Sequence, residues 1–374
     1  MIKNNFKRIV IENFRKFKFL VLEDLSNINI FFGDNNSGKT TILEALFLHS
    51  SGLNIGAFIN VVFPARQKNI FTSNYEFGED LLNLFYNGFD SSGDLKINII
   101  SIDENDSENK TEIKFFPSTF LSQLMVDNVS TNYEVTDFVN ESNKMKENVE
   151  QGSLVFLGKM EVTMNNEKKL YELTLPLKIE SSKYLKLAVY HDILSHRNPS
   201  IEKILYGDLK RKDKLNETVQ ELQKVFPEIT GIDNIPYPDG SPKIYVQTKN
   251  SKLPFSLFGD GFRRFFYLIG NMEMYRNSVH LIEEIDATFH PSSVPTLARL
   301  LINYSLNYYE QMFLTSHNQE FLEIFLNAFE DRKEILENNI RVFTLKELNG
   351  KQKLLKLNGF DALKYIKKFN MELR

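Results

Sequence analysis

The chain of 374 residues is long for one simple domain and short for three. Because 42% of its residues are hydrophobic and 32 are Phe, it can bury a large, Phe-rich core, and this excludes global disorder. The absence of Cys excludes disulfides and thiolate metal sites. With a net charge of −4, the chain has no overall attraction for nucleic acid, so such a role would need a local basic face or a partner.

The first residues lack the apolar run of a signal peptide. No stretch of the sequence approaches the roughly 20 apolar residues that a membrane-spanning helix needs. We therefore expect a soluble, cytoplasmic protein.

The N-terminal part of the chain predicts the order strand, glycine loop, helix. Residues 8–14 and 17–22 have the character of two strands, and a third strand at 28–32 runs directly into a loop at 33–40. After the loop, residues 41–48 have the apolar spacing of a helix.

The middle of the chain predicts further strands and one long helix. Residues 53–90 have a mixed, partly helical pattern, and 103–110 form a polar connector. Residues 126–150, rich in Asn, Glu and Ser, are the best candidate for a mobile segment. An amphipathic pattern predicts one helix over 210–224. The predicted strands in this part are 95–100, 112–116, 153–163, 169–179, 184–190 and 243–246.

The loop from Gly33 to Thr40 matches the phosphate-binding pattern G-x-x-x-x-G-K-[ST] between a strand and a helix. Its glycines let the backbone N–H groups turn toward phosphate oxygens, and the helix start adds partial positive charge. Lys39 would then reach the β- and γ-phosphates of ATP, and the Thr40 hydroxyl would hold Mg²⁺. The predicted nucleotide contacts are Gly33, Asn35, Asn36, Ser37, Gly38, Lys39, Thr40 and Thr41.

An apolar segment at 278–286 predicts a second strand that ends in two carboxylates. We expect Glu283 to hold Mg²⁺, directly or through a water, and Glu284 to act as the general base on the attacking water. Neighbouring strand residues face opposite sides of a sheet, so the two carboxylates need not share a role. A solvated acidic strand end is the alternative.

At this point the sequence resembles a known family. The segment from Glu283 to Pro291 resembles the Walker B and D-loop motifs of ABC-type ATPase heads, in the branch that contains the SMC, RecF and OLD (overcoming lysogenisation defect) proteins. Residues 11–17 resemble the first strands of the same group. The resemblance covers about 1–50 and 253–320. It implies an α/β fold, a P-loop NTPase of ABC-ATPase type, with a mixed central sheet, an additional antiparallel β-layer and a helical lobe.

Three positions depart from the family pattern. Glu283 stands where many relatives have Asp, and its extra methylene still allows metal coordination. Ile285 stands where many relatives have Pro. Residues 257–264 occupy the place of the Ser/Gly signature that caps the partner subunit's nucleotide, with Gly259 in place of the Ser. The backbone contacts of a signature are therefore expected, without the contact that the Ser side chain would make.

The resemblance also implies roles for residues near the signature and beyond it. Gly259, Gly261 and Arg263 would contact the nucleotide of a second subunit. Arg263 and Arg264 each have two interpretations, namely contact with phosphate or a neighbouring subunit, and exposure to solvent. His317, which follows a strand at 311–315, would sense the γ-phosphate, with a purely structural His as the alternative. Candidates for the Q-loop glutamine are Gln67 and Gln123.

The implied organisation is a single, discontinuous ATPase head. Residues 1–52 and 253–325 would form its nucleotide-binding core, and 53–252 a β-rich and helical insertion or lobe. Residues 326–374 would add a C-terminal hairpin and helix.

The implied activity is slow hydrolysis of ATP to ADP and phosphate, with Mg²⁺, in an ATP-dependent homodimer or higher homo-oligomer. OLD-like ATPases often carry a nuclease domain of roughly 150 residues or more, for which the chain leaves no room. We therefore expect a separate effector or nuclease protein, as in anti-phage defence systems.

Two other functions stay open. A RecF-like ATPase would bind DNA through a basic cluster at Lys210, Arg211, Lys212 and Lys214, which a solvated helix start also explains. The nucleotide-binding subunit of a transporter is disfavoured by the β-rich middle and the missing signature Ser.

Overall fold

A computed structural model of the chain describes residues 5–62, 74–86, 88, 95–119, 121, 155–175, 184–237, 240, 242–348 and 351–369. Backbone contacts divide the chain into two compact units. The first unit comprises residues 1–6, 24–43 and 187–374, and the second comprises 7–23 and 44–186. The assignment of 53–252 to an insertion stays a prediction. The predicted mobile segment 126–150 lies outside the described residues.

Most of the strands expected from the sequence are present, with ends shifted by a few residues. Within the described residues the strands are β1 Phe6–Phe14, β2 Phe17–Glu23, β3 Ile28–Gly33, β4 Lys96–Asp103, β5 Glu108–Pro117, β6 Val155–Met164, β7 Glu167–Leu175, β8 Ala188–His191, β9 Ile229–Asn234, β10 Ile244–Thr248, β11 Lys252–Pro254, β12 Val279–Ile282, β13 Gln311–Ser316, β14 Ile340–Leu348 and β15 Lys351–Asn358.

The helices of the described residues lie mainly in the first unit. They are α1 Lys39–Ser51, α2 Ile55–Val62, α3 Asn74–Leu82, α4 Pro199–Arg211, α5 Leu215–Gln223, α6 Asp260–Met274, α7 Val294–Tyr308, α8 Gln319–Asn327, α9 Lys333–Asn339 and α10 Gly359–Phe369. No helix in the described part of the chain has both the length and the apolar character to cross a membrane.

The first unit is built on a mixed six-stranded sheet in the order β15-β14-β3-β13-β12-β8. All of its neighbouring strands pair in parallel except β14 and β15, which form an antiparallel hairpin. Parallel strands end at the same edge of a sheet, and ligands of open α/β sheets bind at that edge. The segments that follow β3, β13 and β12 therefore come together.

The centre of this sheet is apolar and rich in Phe, as the composition predicts. Every residue of β3 and of β13 is buried. Phe31 on β3 lies between Phe313 and Phe343 of the two neighbouring strands, at ring-centroid distances of 6.3 Å and 5.4 Å. This packing fixes the strand that leads into the phosphate loop. A smaller antiparallel sheet, β11-β10-β9, also belongs to the first unit.

The second unit contains the additional β-layer that the resemblance implied. Its six strands follow the order β2-β1-β4-β5-β6-β7, with antiparallel pairing in β1/β2, β4/β5, β5/β6 and β6/β7. Buried and partly exposed residues alternate along β4, as expected for a strand with one face on a core. The connector predicted at 103–110 is shorter, because Asp103 ends β4 and its carboxylate accepts the N–H groups of Asn105 and Ser107.

The single helix predicted over 210–224 is wrong. The chain forms α4 and α5 there, separated at residues 212–214, where Asp213 has a left-handed φ of 53°. The first helix begins earlier than predicted because Pro199 occupies its first turn and the Asn198 side chain accepts the Ser200 N–H at 2.9 Å. The amphipathic pattern continues through the break, so it does not reveal the turn.

Candidate nucleotide site

The loop that follows β3 has a backbone that only certain residues can adopt. Gly33, Asn36 and Gly38 have positive φ angles of 147°, 62° and 100°. A Cβ atom on Gly33 would lie 2.6 Å from the carbonyl oxygen of Leu345 on β14, so glycine is required there. Helix α1 begins directly after Gly38, whose carbonyl accepts the Ile42 N–H at 3.1 Å. The first N–H groups of such a helix have no partner within the helix and can bind phosphate.

Lys39 lies along this loop. Its Nζ donates hydrogen bonds to the carbonyl oxygens of Gly33 at 2.8 Å and Asp34 at 2.7 Å, and the residue is only 8% exposed. The ammonium group is therefore held at the mouth of the loop. Among the other predicted contacts, Ser37, Gly38 and Thr41 are buried, Thr40 is partly exposed, and Asn35 and Asn36 are exposed. All of them lie on one continuous loop and helix start; their contacts with nucleotide stay predictions.

The carboxylates and the histidine predicted for this site follow neighbouring strands. Phe32 of β3 is paired with Ser316 of β13, and Leu314 of β13 with Ile282 of β12. Residues 33–40, His317 and Glu283 thus leave three adjacent parallel strands at the same edge. The structure brings the three predicted motifs of the first unit together.

The prediction that the strand extends to residue 286 is wrong. Strand β12 ends at Ile282, and residues 283–288 form a turn in which Glu284 and Thr288 have φ angles of 41° and 74°. The turn is fixed to the end of β13, because the Glu284 N–H donates to Thr315 Oγ1 at 2.8 Å and the Ile285 N–H donates to the Thr315 carbonyl at 2.9 Å. The side-chain alternation of a strand therefore does not apply to the two carboxylates.

Glu283 and Glu284 have different surroundings. Glu283 is 5% exposed, and its Oε1 accepts a hydrogen bond from the Tyr190 hydroxyl at 2.8 Å. Glu284 is partly exposed. The buried carboxylate suits a metal ligand and the more accessible one suits a base that meets water, but both roles stay predictions.

Arg264 has a place that neither sequence interpretation anticipated. It is 2% exposed, and its guanidinium donates to the carbonyl oxygens of Glu283, Glu284 and Ala287 at 2.6, 2.7 and 3.0 Å. It lies 5.7 Å from the centre of the Phe289 ring. Burial lowers the pKa of Arg264 to about 10, so the guanidinium stays charged at neutral pH. Arg264 is thus not solvated: its hydrogen bonds connect α6 to the turn that carries the two carboxylates.

Helical spacing contains a signal for this placement. Arg264 lies four residues before Leu268 and seven before Asn271, and both of these are buried on α6. A residue at this spacing belongs to the inward face of the helix.

The signature-like turn begins α6. Gly259 precedes the first helical residue, and a Cβ atom added to it would meet no described atom within 4 Å. Gly261 is closely packed, because its Cβ would lie 3.0 Å from the Thr288 carbonyl oxygen. One face of the turn is therefore open, while the other contacts the turn that carries the carboxylates.

Arg263 makes contacts within its own chain. Its Nη2 donates to the carbonyl of Arg197 at 3.1 Å and lies 3.6 Å from Glu202 Oε2. Burial raises the pKa of Glu202 to about 7, against the opposing effect of the Arg263 charge. Contact of Arg263 with a partner's nucleotide stays a prediction.

His317 is half-exposed at the end of β13, with Nδ1 3.6 Å from Oδ2 of the buried Asp286 carboxylate. Asp286 was not among the predicted site residues, although its position two residues after Glu284 in the D-loop-like segment was a signal for it. The role of His317 in sensing phosphate stays a prediction. The Q-loop candidates Gln67 and Gln123 lie outside the described residues.

The residues at this edge fit a nucleotide with Mg²⁺. The loop supplies a lysine, a helix start and a glycine position that admits no side chain, which together match the demands of a triphosphate. Thr40 and Glu283 offer a hydroxyl and a carboxylate, the oxygen donors that Mg²⁺ prefers.

The chain is similar to known proteins. The model of a protein family described as "AAA domain, putative AbiEii toxin, Type IV TA system" matches residues 28–323. The chain is 24% identical over 357 residues to an ATP/GTP phosphatase of Helicobacter pylori, covering 90% of this chain and 91% of that protein. It is also 47% identical over 45 residues, 12% of each chain, to the DNA replication and repair protein RecF of Acetivibrio thermocellus.

A solved structure shows a similar fold. It is the Smc head domain of Pyrococcus furiosus, with an extended coiled coil and bound to the C-terminal domain of ScpA. The TM-score is 0.52 at 12% sequence identity, over 98% of this chain and 100% of that one. The family match extends from β3 into α8 and so includes the phosphate loop, the signature-like turn and both carboxylates. The chain therefore belongs to this AAA-domain family, and its fold is similar to that of the Smc head domain.

Proposed function

We propose that this ATPase is a nucleotide-gated dimer. Each of two ATP molecules lies between the phosphate loop of one chain, residues 33–41, and the signature-like turn of the other, residues 259–263. The observation that carries the proposal is the pairing of a complete phosphate loop with an open helix start at Gly259 in the same unit. A helix start offers N–H groups to an anion, and the γ-phosphate supplies one.

Hydrolysis follows from the roles of the residues at the sheet edge. The loop amides and Lys39 bind the β- and γ-phosphates. Thr40 and Glu283 would hold Mg²⁺, which would neutralise charge on the phosphate oxygens. Glu284 accepts a proton as a water oxygen attacks the γ-phosphorus, and the bond to the β,γ-bridging oxygen breaks to release ADP and phosphate. His317, beside Asp286, orients toward the γ-phosphate.

Arg264 supports the link between the two half-sites. Its side chain extends from α6, the helix that begins at the signature-like turn, and donates hydrogen bonds to the backbone carbonyls of Glu283 and Glu284. A shift of this helix on contact with a second chain is thus transmitted to the general base through direct hydrogen bonds. Loss of the bridging γ-phosphate then reopens the dimer.

We further propose that the ATP-bound dimer regulates a separate effector or nuclease in anti-phage defence. The description of the matching family names a toxin and a toxin–antitoxin system, which supports a partner with an effector activity. The similar Smc head was solved with part of another protein bound, so this fold can dock a second polypeptide.

The decisive experiment is a mass measurement in solution with and without Mg-ATP. The parent chain should form a dimer with ATP. Lys39→Ala should keep the mass of the nucleotide-free protein, because without the ammonium group at the loop it should not bind ATP. A parent chain whose mass does not change with ATP refutes the enclosed-nucleotide dimer. Co-expression with the product of a neighbouring gene then tests the effector, which should copurify with the ATP-bound dimer.

A RecF-like, DNA-binding function is the second candidate, favoured by the short RecF match. The structure weakens its predicted basic cluster. Arg211 pairs with Asp208, and Lys214 lies 3.3 Å from Glu217 and 3.9 Å from Glu273. Two of the four cations are thus engaged by carboxylates of the same chain. Salt-sensitive DNA binding that ATP strengthens would favour this function.

A further inference from the structure

A tyrosine of the sheet contacts the carboxylate assigned to the metal. The Tyr190 hydroxyl on β8 donates to Glu283 Oε1 at 2.8 Å. Strand β8 pairs in parallel with β12, and this register places Tyr190 opposite Leu281. The phenol therefore reaches Glu283, two positions along the chain from Leu281. The same strand also holds the backbone, because the Glu283 N–H donates to the carbonyl of His191 at 3.0 Å.

The hydrogen bond has a specific consequence for a glutamate. A Glu side chain has one more rotatable bond than Asp, so an unsupported Glu carboxylate samples more positions and loses more entropy on binding a metal. The phenol bond holds one oxygen in place, and a carboxylate has two oxygens with about four acceptor positions in all. At 5% exposure, Glu283 also gains from a donor that stabilises its buried charge.

We infer that Tyr190 is a positioning residue for the metal site. Its hydroxyl orients the Glu283 carboxylate for Mg²⁺, and its effect depends on the length of the Glu side chain. The inference rests on the proposed function, in which Glu283 is a metal ligand. Mutation of a residue that donates a hydrogen bond to a metal-binding carboxylate typically weakens metal affinity 10- to 100-fold.

The test measures metal affinity rather than turnover. Mn²⁺ is titrated into the full-length protein in the presence of ADP, and the free ion is followed by electron paramagnetic resonance. Tyr190→Phe should weaken Mn²⁺ binding about tenfold and leave ADP binding in EDTA unchanged. The matched control is Tyr304→Phe, which removes a similar bond from a tyrosine to Glu273 at 2.7 Å in the same unit. That control should not change Mn²⁺ affinity, whatever it does to the melting temperature.

A double-mutant cycle tests whether Tyr190 affects Mn²⁺ binding through Glu283. In Glu283→Asp the carboxylate is one methylene shorter and moves out of reach of the phenol, so adding Tyr190→Phe should weaken Mn²⁺ binding no further. Equal Mn²⁺ affinity of folded Tyr190→Phe and the parent overturns the inference and leaves the proposed function standing. The inference is also overturned if Tyr190→Phe weakens Mn²⁺ binding by the same factor in the parent and in Glu283→Asp. A parent chain that binds no Mn²⁺ with ADP overturns the proposed metal site itself.

Discussion

The three hydrogen bonds from Arg264 should make a large contribution to the stability of the first unit. In Arg264→Met the side chain keeps a similar length and loses its donors to the carbonyls of Glu283, Glu284 and Ala287. One of these bonds is buried and two are partly buried. Loss of the Arg264 donor should cost about 1 to 2 kcal/mol at each of the carbonyls of Glu283 and Ala287. The Glu284 carbonyl still accepts the Ala287 N–H at 2.9 Å, so loss of the Arg264 bond there should cost about 1 kcal/mol. The free energy of unfolding should fall by about 3 to 5 kcal/mol, a large part of the 5–15 kcal/mol that holds a typical domain folded.

The assay is equilibrium unfolding in urea, followed by far-UV circular dichroism, and Arg263→Met is the matched control. Arg263 is the neighbouring residue of α6 and donates a single bond to the Arg197 carbonyl, beside Glu202, so its replacement should cost about 1 kcal/mol. ATP turnover should fall in Arg264→Met even where the protein remains folded, because the turn with Glu284 is no longer held. A loss of stability below about 1 kcal/mol, or one equal to that of the control, refutes the assigned role of Arg264.

Three further outcomes are expected. Glu284→Gln should bind ATP, turn it over at least about 100-fold more slowly and accumulate the dimer; turnover at the parent rate in a phosphate-release assay would assign the base elsewhere. Gly259→Ala should cost about 1 kcal/mol of folding stability or less, because its Cβ meets no described atom, yet weaken ATP-dependent association seen by analytical ultracentrifugation; unchanged association would place the partner elsewhere. Burial, together with the nearby charge of Glu273, raises the pKa of Glu310 from 4.5 to about 9. The contribution of Glu310 to folding stability is therefore complete below about pH 4.5 and is lost as the pH rises through 9. The melting temperature should therefore fall less between pH 6 and 9 in Glu310→Gln than in the parent, and an equal fall would contradict the burial argument.

The parts of the site that sequence patterns predict are those with local causes. The loop from Gly33 to Thr40 follows from a strand, two glycines and a helix start, all within a short segment, and the structure has this order. The fold class followed from the motifs at the two ends of the chain together with the strand patterns between them.

The interactions that escaped prediction depend on pairing between distant segments. The turn at 283–288 exists because its N–H groups meet Thr315, on a strand reached only after a full helix. The bond from Tyr190 to Glu283 depends on which strand lies beside β12, and a single sequence does not contain this information. The break at Asp213 depends on a backbone angle that the charge pattern does not report. Arg264 is the intermediate case, because helical spacing marks its face but not its three acceptors.

The position of β3 in the sheet has a consequence for how the protein is made. Strands β13 and β14 flank β3, and a carbonyl of β14 lies against Gly33. A ribosome releases the phosphate loop long before either neighbouring strand, so the loop acquires its packed form late in biosynthesis. Pairing across such sequence separations is slow and leaves apolar strand edges exposed meanwhile. The nascent chain is thus prone to aggregation at its own nucleotide site, and chaperone dependence should be greatest for chains paused before β13.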